Sequence, residues 1–442
     1  MIFCSVLLAI VPALSAPAVA ATIIVGPSNC SAAAVTSAIA SAADRDTIQL
    51  TCTGTATWDT TVTVPSTKGL TLTAGGSNTP KASATFPLTI SSSADPVLEI
   101  NCENNRGLNR VTGFKFRNTI PSNNGAVFVK GRGVGTTGLG CFRIDNNYFD
   151  TIQNPNANLE GTITIWSSTG VMTGLIDNNT LHDSSYTDGY VLSIQEPWKF
   201  GGTQWANAGQ NAWTRPFVFG SSDFIFIEDN LVENNSRYAR HQIEAIQGGK
   251  YVARYNVFDV NKDNAGVQTE SVEAHGFCFC QSIGHGTRGG EIYGNTFKGT
   301  QHANTIYLRG GTWLVYDNVW LNAPSGDFIQ LKEYRASSSC GQCDNTCPSD
   351  PRWANCVNNA NAYPMSEQIA GTYVWNNLYL GINRVPAVNS SGVQNLYIQS
   401  NRDYSVSPTK PEALSSYTPY PYPHPLRNTG SPPRAPQNPT LN

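Results

Sequence analysis

Between residues 237 and 335 the chain gathers many ionisable side chains, although only 13% of the whole sequence is charged. RYARHQIEAIQGG brings Arg240, His241 and Glu244; TESVEAHG brings Glu270, Glu273 and His275; GHGTRGGE brings His285, Arg288 and Glu291. IYLRGG and IQLKEYR then add Arg309, Lys332, Glu333 and Arg335. Carboxylates near imidazole, guanidinium and ammonium groups can move protons, hold an anion or ligate a cation. His275 stands out among the six histidines because it sits in an Ala-His-Gly turn beside acids, and histidine changes charge near neutral pH. The stretch HGFCFCQSIGH, with Cys278, Cys280 and His285, suggests a metal site, yet its cysteines are better suited to disulfides. Charged side chains on exposed strands are commonly just solvated, so their placement has to decide.

These groups act together only if a scaffold brings them to one face, and the scaffold is legible as a repeat. A phrase of one apolar residue, two polar or small residues, Asn, any residue and a large apolar residue recurs. It reads IDNNYF (144–149), IDNNTL (176–181), IEDNLV (227–232), ARYNVF (253–258), IYGNTF (292–297), VYDNVW (315–320) and VWNNLY (374–379). VTGFKF (111–116) is an earlier copy with Phe114 in the Asn place. The shortest interval, 23 residues from Asn295 to Asn318, sets one coil, and longer intervals carry inserted loops. A coil of three short strands cannot bury its own apolar face; stacked coils can, each strand bonding to its counterparts about 4.8 Å above and below. Stacking predicts an amide ladder of Asn147, Asn179, Asn230, Asn256, Asn295, Asn318 and Asn377. The large residue two places later falls in its own file. QGGKYVARYNVF (247–258) aligns without a gap over RGGTWLVYDNVW (309–320), which predicts Gln247 and Arg309 in one column and Lys332 at a comparable place one turn later.

The Asn phrase on this minimum repeat resembles the right-handed parallel β-helix proteins of the pectate-lyase-like superfamily, over about residues 22–405. The resemblance implies an all-β fold: a single-stranded right-handed parallel β-helix, or solenoid, with an N-terminal capping helix and inserted loops. It also implies a chemistry, β-elimination on a uronate polymer, in which the sugar carboxylate is neutralised and a Lys, Arg or His takes the proton alpha to it. On that reading His275, Arg288, Arg309 and Lys332 are the catalytic candidates, and Glu244, Glu273 and His285 meet the substrate. Glu270 and Glu273 are candidate ligands for calcium, a frequent neutraliser on this fold. The insertion EPWKFGGTQWANAGQNAWTRPF offers Trp198, Trp205 and Trp213 for stacking on sugar rings. Because the fold also serves hydrolases and adhesins, a glycan-binding adhesin or fibre protein and a glycoside hydrolase remain alternatives. Gly284-His285-Gly286 is shared with polygalacturonases, but their Asn-Thr-Asp and paired-Asp motifs are absent, the region reading RHQIE and KDNAG.

The ends read differently from the repeat. SAAAVTSAIASAADRD (31–46) has apolar spacing near 3.6 and predicts a helix over the first coil. The Pro-rich stretch 406–442 predicts an extended cover or tail. Residues 1–21, an apolar run closing on Ala18-Val19-Ala20, predict a secretory signal peptide and an extracellular or periplasmic location. Without Cys4, ten of the 11 cysteines remain, an even number that favours disulfides, two of them local to CGQCDNTCPSDPRWANC (340–356). A net charge of −3 with no Lys/Arg stripe argues against nucleic acid. Beyond residue 21 no apolar run reaches the roughly 20 residues of a membrane span. The expected partner is an acidic polysaccharide.

Overall fold

The structure is a computed structural model describing residues 20–78, 85–103, 107–118, 124–131, 140–150, 152, 161–167, 172–182, 190–196, 209–234, 241–260, 269–276, 285–332, 369–388 and 398–428. Each coil passes through three strands, as in Lys250–Arg254, Val257–Val260 and Thr269–Ala274, before returning to the first position at Gly289–Tyr293. Stacked coils make three sheets of 12, 11 and 10 strands, named here first, second and third in the order the chain visits them. Neighbouring strands are parallel throughout the stack, except where Leu378–Tyr379 meets Ile382–Asn383 in the last coil. The fold is a right-handed parallel β-helix.

The repeated phrase makes the bend from first to second sheet. The residue before each ladder Asn has positive φ: Asn146 (56°), Asn178 (54°), Asp229 (56°), Tyr255 (58°), Gly294 (66°), Asp317 (56°) and Asn376 (48°). Gly, Asn and Asp visit this left-handed region most readily, which explains the small or polar residue there in six of these seven copies. The following Asn turns inward, where its amide is buried and needs both a donor and an acceptor. Asn147 Nδ2 donates to Asn179 Oδ1 at 3.1 Å, and the series continues at 3.0 Å through Asn230, Asn256, Asn295 and Asn318, ending on Asn377 at 2.8 Å. Two places on, the rings of Phe258, Phe297 and Trp320 stack with centroids 5.1 and 5.0 Å apart.

Each rung thus holds the register of two coils, and its loss strands partners on both sides. Asn256→Ala removes the donor to Asn295 and the acceptor used by Asn230. It is expected to cost about 1–3 kcal/mol through polar groups left buried and unpaired, read as a lower thermal midpoint with the β-rich circular dichroism of the wild type.

At the N-terminal end the helix Ala32–Ser41, capped by Ser31 accepting from the Ala34 amide at 3.3 Å, buries Val35, Ala38 and Ile39 against the first coil. Disulfides join Cys30 to Cys52 and Cys102 to Cys141. Cys278, Cys280 and the four cysteines of 340–356 lie outside the described residues, as do residues 1–19. After the strand Tyr404–Ser407, residues 411–428 run back across the outer side of the first sheet as a strap. Tyr417 Oη donates to Glu291 at 2.6 Å, Arg254 donates to the Tyr420 carbonyl at 2.6 Å, and Arg427 Nε lies 2.7 Å from Glu228.

Candidate functional site

Alternation along the third sheet sorts its side chains. Ile243, Ala245, Val272, Ala274, Ile306, Leu308, Ile329 and Leu331 enter the core. Their neighbours Glu244, Glu273, Tyr307 and Gln330 therefore point outward, in one column by register. A second column stands at the strand ends. The His275 amide donates to the Ala245 carbonyl (2.8 Å), that of Arg309 to Ala274 (3.0 Å) and that of Lys332 to Leu308 (2.9 Å). His275, Arg309 and Lys332 thus occupy the same place on three successive coils, roughly 5 Å apart.

Gln247 does not share this column, contrary to the gapless alignment. Four residues separate Ala245 from Lys250, but only three separate Leu308 from Thr312. Gln247, with φ 53°, belongs to the longer turn, and Ile246 takes the place matched to Arg309.

Beside the column lies a carboxylate cluster centred on a residue that sequence reasoning did not single out for a role, His241. Its Nδ1 is 2.9 Å from Glu270 and 3.7 Å from Glu244, and it contacts Glu273, whose other oxygen contacts Arg309. A three-residue offset places His241 and Glu244 on opposite sides of a regular strand. A register irregularity at Thr269/Glu270 in the adjoining strand accompanies their convergence. Burial, and then the charge of Glu273, pushes Glu244 well above the usual carboxylate range. Burial also pushes Glu270 upward, but the hydrogen bond and charge of His241 outweigh it and hold Glu270 at about 2.

The column residues are tuned as well. His275 donates from Nδ1 to the Gly276 carbonyl at 3.0 Å, which fixes the tautomer and puts the basic lone pair on Nε2; burial lowers it to about 4. Lys332 is lowered by burial and then by Arg309, against the opposing charges of Glu270 and Glu273. The Tyr307 ring carries both cations, Arg309 at 4.9 Å and Lys332 at 5.9 Å from its centroid.

The remaining candidates fall elsewhere. Arg288 is held between the rings of Trp213 and Phe217, 4.7 Å from each centroid, at the turn into the first sheet. Trp213 donates to the Gly286 carbonyl at 2.9 Å and stacks on buried His285, so these three form a packing group that fastens the 209–219 segment. Glu196 anchors the same segment by accepting from the Ala212 amide at 2.9 Å. Trp198 and Trp205 lie outside the described residues.

Single ligand atoms of His241, Glu244 and Glu273 lie within 4.8 Å of one another. Glu244, Glu270 and Glu273 offer the hard oxygens that calcium takes. His241, Glu244 and Glu273 thus form a carboxylate–imidazole group of the kind that can hold a cation; its oxygens are of the type calcium takes, and the His241 imidazole is not.

The fold and this face define a parallel β-helix protein with a column of one neutral imidazole, Arg309 and Lys332 set against a carboxylate cluster. No protein-family profile matches the chain, and no curated protein matches it. Two solved structures are similar to it. One is an alginate lyase from Paenibacillus sp. str. FPU-7, at 12% identity over 71% of this chain and 98% of that one, with a TM-score of 0.33. The other is the PL6 family alginate lyase AlyGC, at 12% identity over 92% of this chain and 57% of that one, with a TM-score of 0.35.

Proposed function

We propose that this chain is a secreted polysaccharide lyase that cleaves a uronate-containing polymer by β-elimination. The observation that carries the reading is the placement of His275, Arg309 and Lys332 on successive coils beside three carboxylates. Arg309, steered by Glu273 and backed by the Tyr307 ring, meets the sugar carboxylate and stabilises the charge that grows on it as C5–H breaks. Lys332 takes that proton. It is the stronger base of the two candidates, because His275, held at about 4, lags far behind the carbon acid. The C5–H electron pair forms the C4=C5 bond as C4–O4 breaks, and the departing O4 collects a proton from the Lys332 ammonium or water. Calcium held by Glu244, Glu270 and Glu273 would supply further positive charge for the sugar carboxylate. The two disulfides suit an oxidising compartment, and no helix among the described residues is long and apolar enough to cross a membrane.

Incubation with alginate, polygalacturonate and a neutral glucan, each with calcium or a chelator, tests the reading through unsaturated ends and new reducing ends. Unsaturated ends from a uronate polymer support it. Reducing ends without unsaturation mark a hydrolase, and no release from any polymer leaves the glycan-binding alternative. The pH profile is a second check. Lys332 must be neutral to act, so kcat/KM should rise with pH, with its inflection below the ordinary lysine value of 10.5. Lys332→Ala should abolish that limb.

A further inference from the structure

The column of His275, Arg309 and Lys332 closes towards the N-terminal end, because Ile246 and Gln195, its next two rungs, are buried. The face stays open along the strand instead. In the last of these coils Asp327, Gln330 and Lys332 are all half-buried, and so is Asn304, the register partner of Asp327 one coil earlier. Gln330 alternates with the core residues Ile329 and Leu331 and therefore stands on the outer face. Its amide donates to Asp327 at 2.6 Å, which brings the Asp327 carboxylate to that face as well. Lys332 follows Asp327 by five residues, roughly 16 Å along a strand, about twice the Debye length at physiological salt. Arg384 is occupied elsewhere: its guanidinium lies over the Phe328 and Tyr379 rings, 4.7 and 5.0 Å from their centroids, and among the described residues Asp327 has no ion-pair partner. Calcium at Glu244, Glu270 and Glu273 would not reach it, since Asn304 stands between Glu270 and Asp327 in register.

We infer that Asp327 is a specificity-determining residue of this face: the subsite it forms with Gln330 and Asn304 takes an uncharged sugar and turns away a uronate. The inference rests on the lyase reading for its substrate, a uronate polymer cut at Arg309 and Lys332, and adds which sugar stands a few rings from the cut. A polymer laid along the last coil passes from Lys332 over Gln330 to Asp327. The hydroxyls of the sugar over Asp327 donate to its carboxylate and exchange hydrogen bonds with the two amides, which both donate and accept. A second uronate there would set its carboxylate against Asp327, with Arg309 and Lys332 too far away to offset the repulsion. Such a contact discriminates against a competitor more than it adds affinity. The polymer best matched is therefore a heteropolysaccharide whose uronates are separated by neutral sugars, not an unbroken polyuronate. Strand alternation alone would put Asp327 on the core side with Ile329; its bond to Gln330 is what places it on the face.

The test is affinity electrophoresis of the full chain in gels containing polygalacturonate, alginate or gellan, whose glucuronates are separated by neutral sugars, run beside the assay for unsaturated ends. Asp327→Asn keeps the shape and the acceptor for Gln330 but removes the charge. It is expected to strengthen retardation by the two polyuronates about three- to ten-fold and to leave retardation by gellan unchanged. The gain should shrink as salt is raised. Where unsaturated ends appear, the same change should show as a lower KM on the polyuronates with kcat kept. Asp327→Ser, a second uncharged variant, should behave alike, and thermal midpoints confirm that both are folded. Retardation equal to wild type on every polymer, or a gain as large on gellan as on the polyuronates, overturns the subsite. A gain confined to the polyuronates without unsaturated ends from any polymer keeps the subsite and rejects the lyase. Unsaturated ends with no such gain do the reverse.

Discussion

An Arg309→Ala variant is expected to cleave a uronate polymer about 10²–10³-fold more slowly than wild type, with most of the loss in kcat. The reason is where charge develops. As the proton alpha to the carboxylate leaves, the carboxylate gains negative charge, and a guanidinium already placed there is worth more in the transition state than in the bound substrate. Arg309 is placed by two contacts, Glu273 on one side and the Tyr307 ring beneath. Arg309→Lys keeps the charge but loses the planar fork, and its rate should fall between the two. The alanine variant should also lose stability, since buried Glu273 and Glu244 then face each other with less positive charge nearby. Glu244, which burial already raises in the wild type, then rises further, so the penalty is full above its raised folded value and relieved as pH falls through it. Wild-type rates in a folded Arg309→Ala protein would remove Arg309 from the mechanism, and with it the reading of this column.

The cluster beside Arg309 has an internal logic that follows from its charges. Three carboxylates meet one guanidinium and one imidazole. Glu270 stays ionised against His241, while Glu244 is the one driven towards its neutral form. Glu273 can therefore hold Arg309 without two further full charges pulling it inward. Such an arrangement keeps the guanidinium anchored yet still able to attract an anion.

How much of this was legible depended on whether a residue's neighbours lie one coil away or across the molecule. The Asn ladder was legible because each member repeats in a local phrase whose left-handed residue is visible as Asn, Asp or Gly in most copies. The column of Arg309 and Lys332 was legible in part; the added turn residue Gln247 shifted its third member, and only strand register brings in His275. His241 was named among the ionisable residues but given no role, because strand periodicity separates it from Glu244. Arg288 and Trp213 have the right chemistry for a site, yet they pack on each other. A further signal stood in the phrase unread. Its second position runs Asp145, Asp177, Glu228, Arg254, Tyr293, Tyr316 and Trp375, one column on the outer side of the first sheet. Charged residues in that place call for a cover, but the partner, Arg427, lies 198 residues from Asp229.

That partner carries the second large effect. Arg427 reaches Asp177 at 3.1 Å and Glu228 at 2.7 Å and contacts Asp229, while Arg143 and Arg254 supply the other two positive charges of a balanced group of six. Asp177 and Glu228 are fully buried, so removing Arg427 leaves a carboxylate uncompensated in low dielectric. Arg427→Met, which keeps much of the side chain's bulk, is expected to cost about 3–5 kcal/mol at neutral pH, read from denaturant midpoints. The pH dependence separates lost charge from lost packing. In the wild type burial pushes Asp177 up, but Arg143 and Arg427 outweigh it and leave its pKa depressed. Its contribution is present above the unfolded value, near 3.8, and is lost as pH falls through the lower folded value. In the variant the balance tips the other way for Asp177, and Glu228, which burial already raises in the wild type, rises further; protonation relieves both. The deficit should therefore shrink as pH is lowered from 7 to 4. A deficit of equal size at both values would mean that the strap is held by its aromatic packing, through Tyr417, Tyr420 and Tyr422, rather than by this charge group.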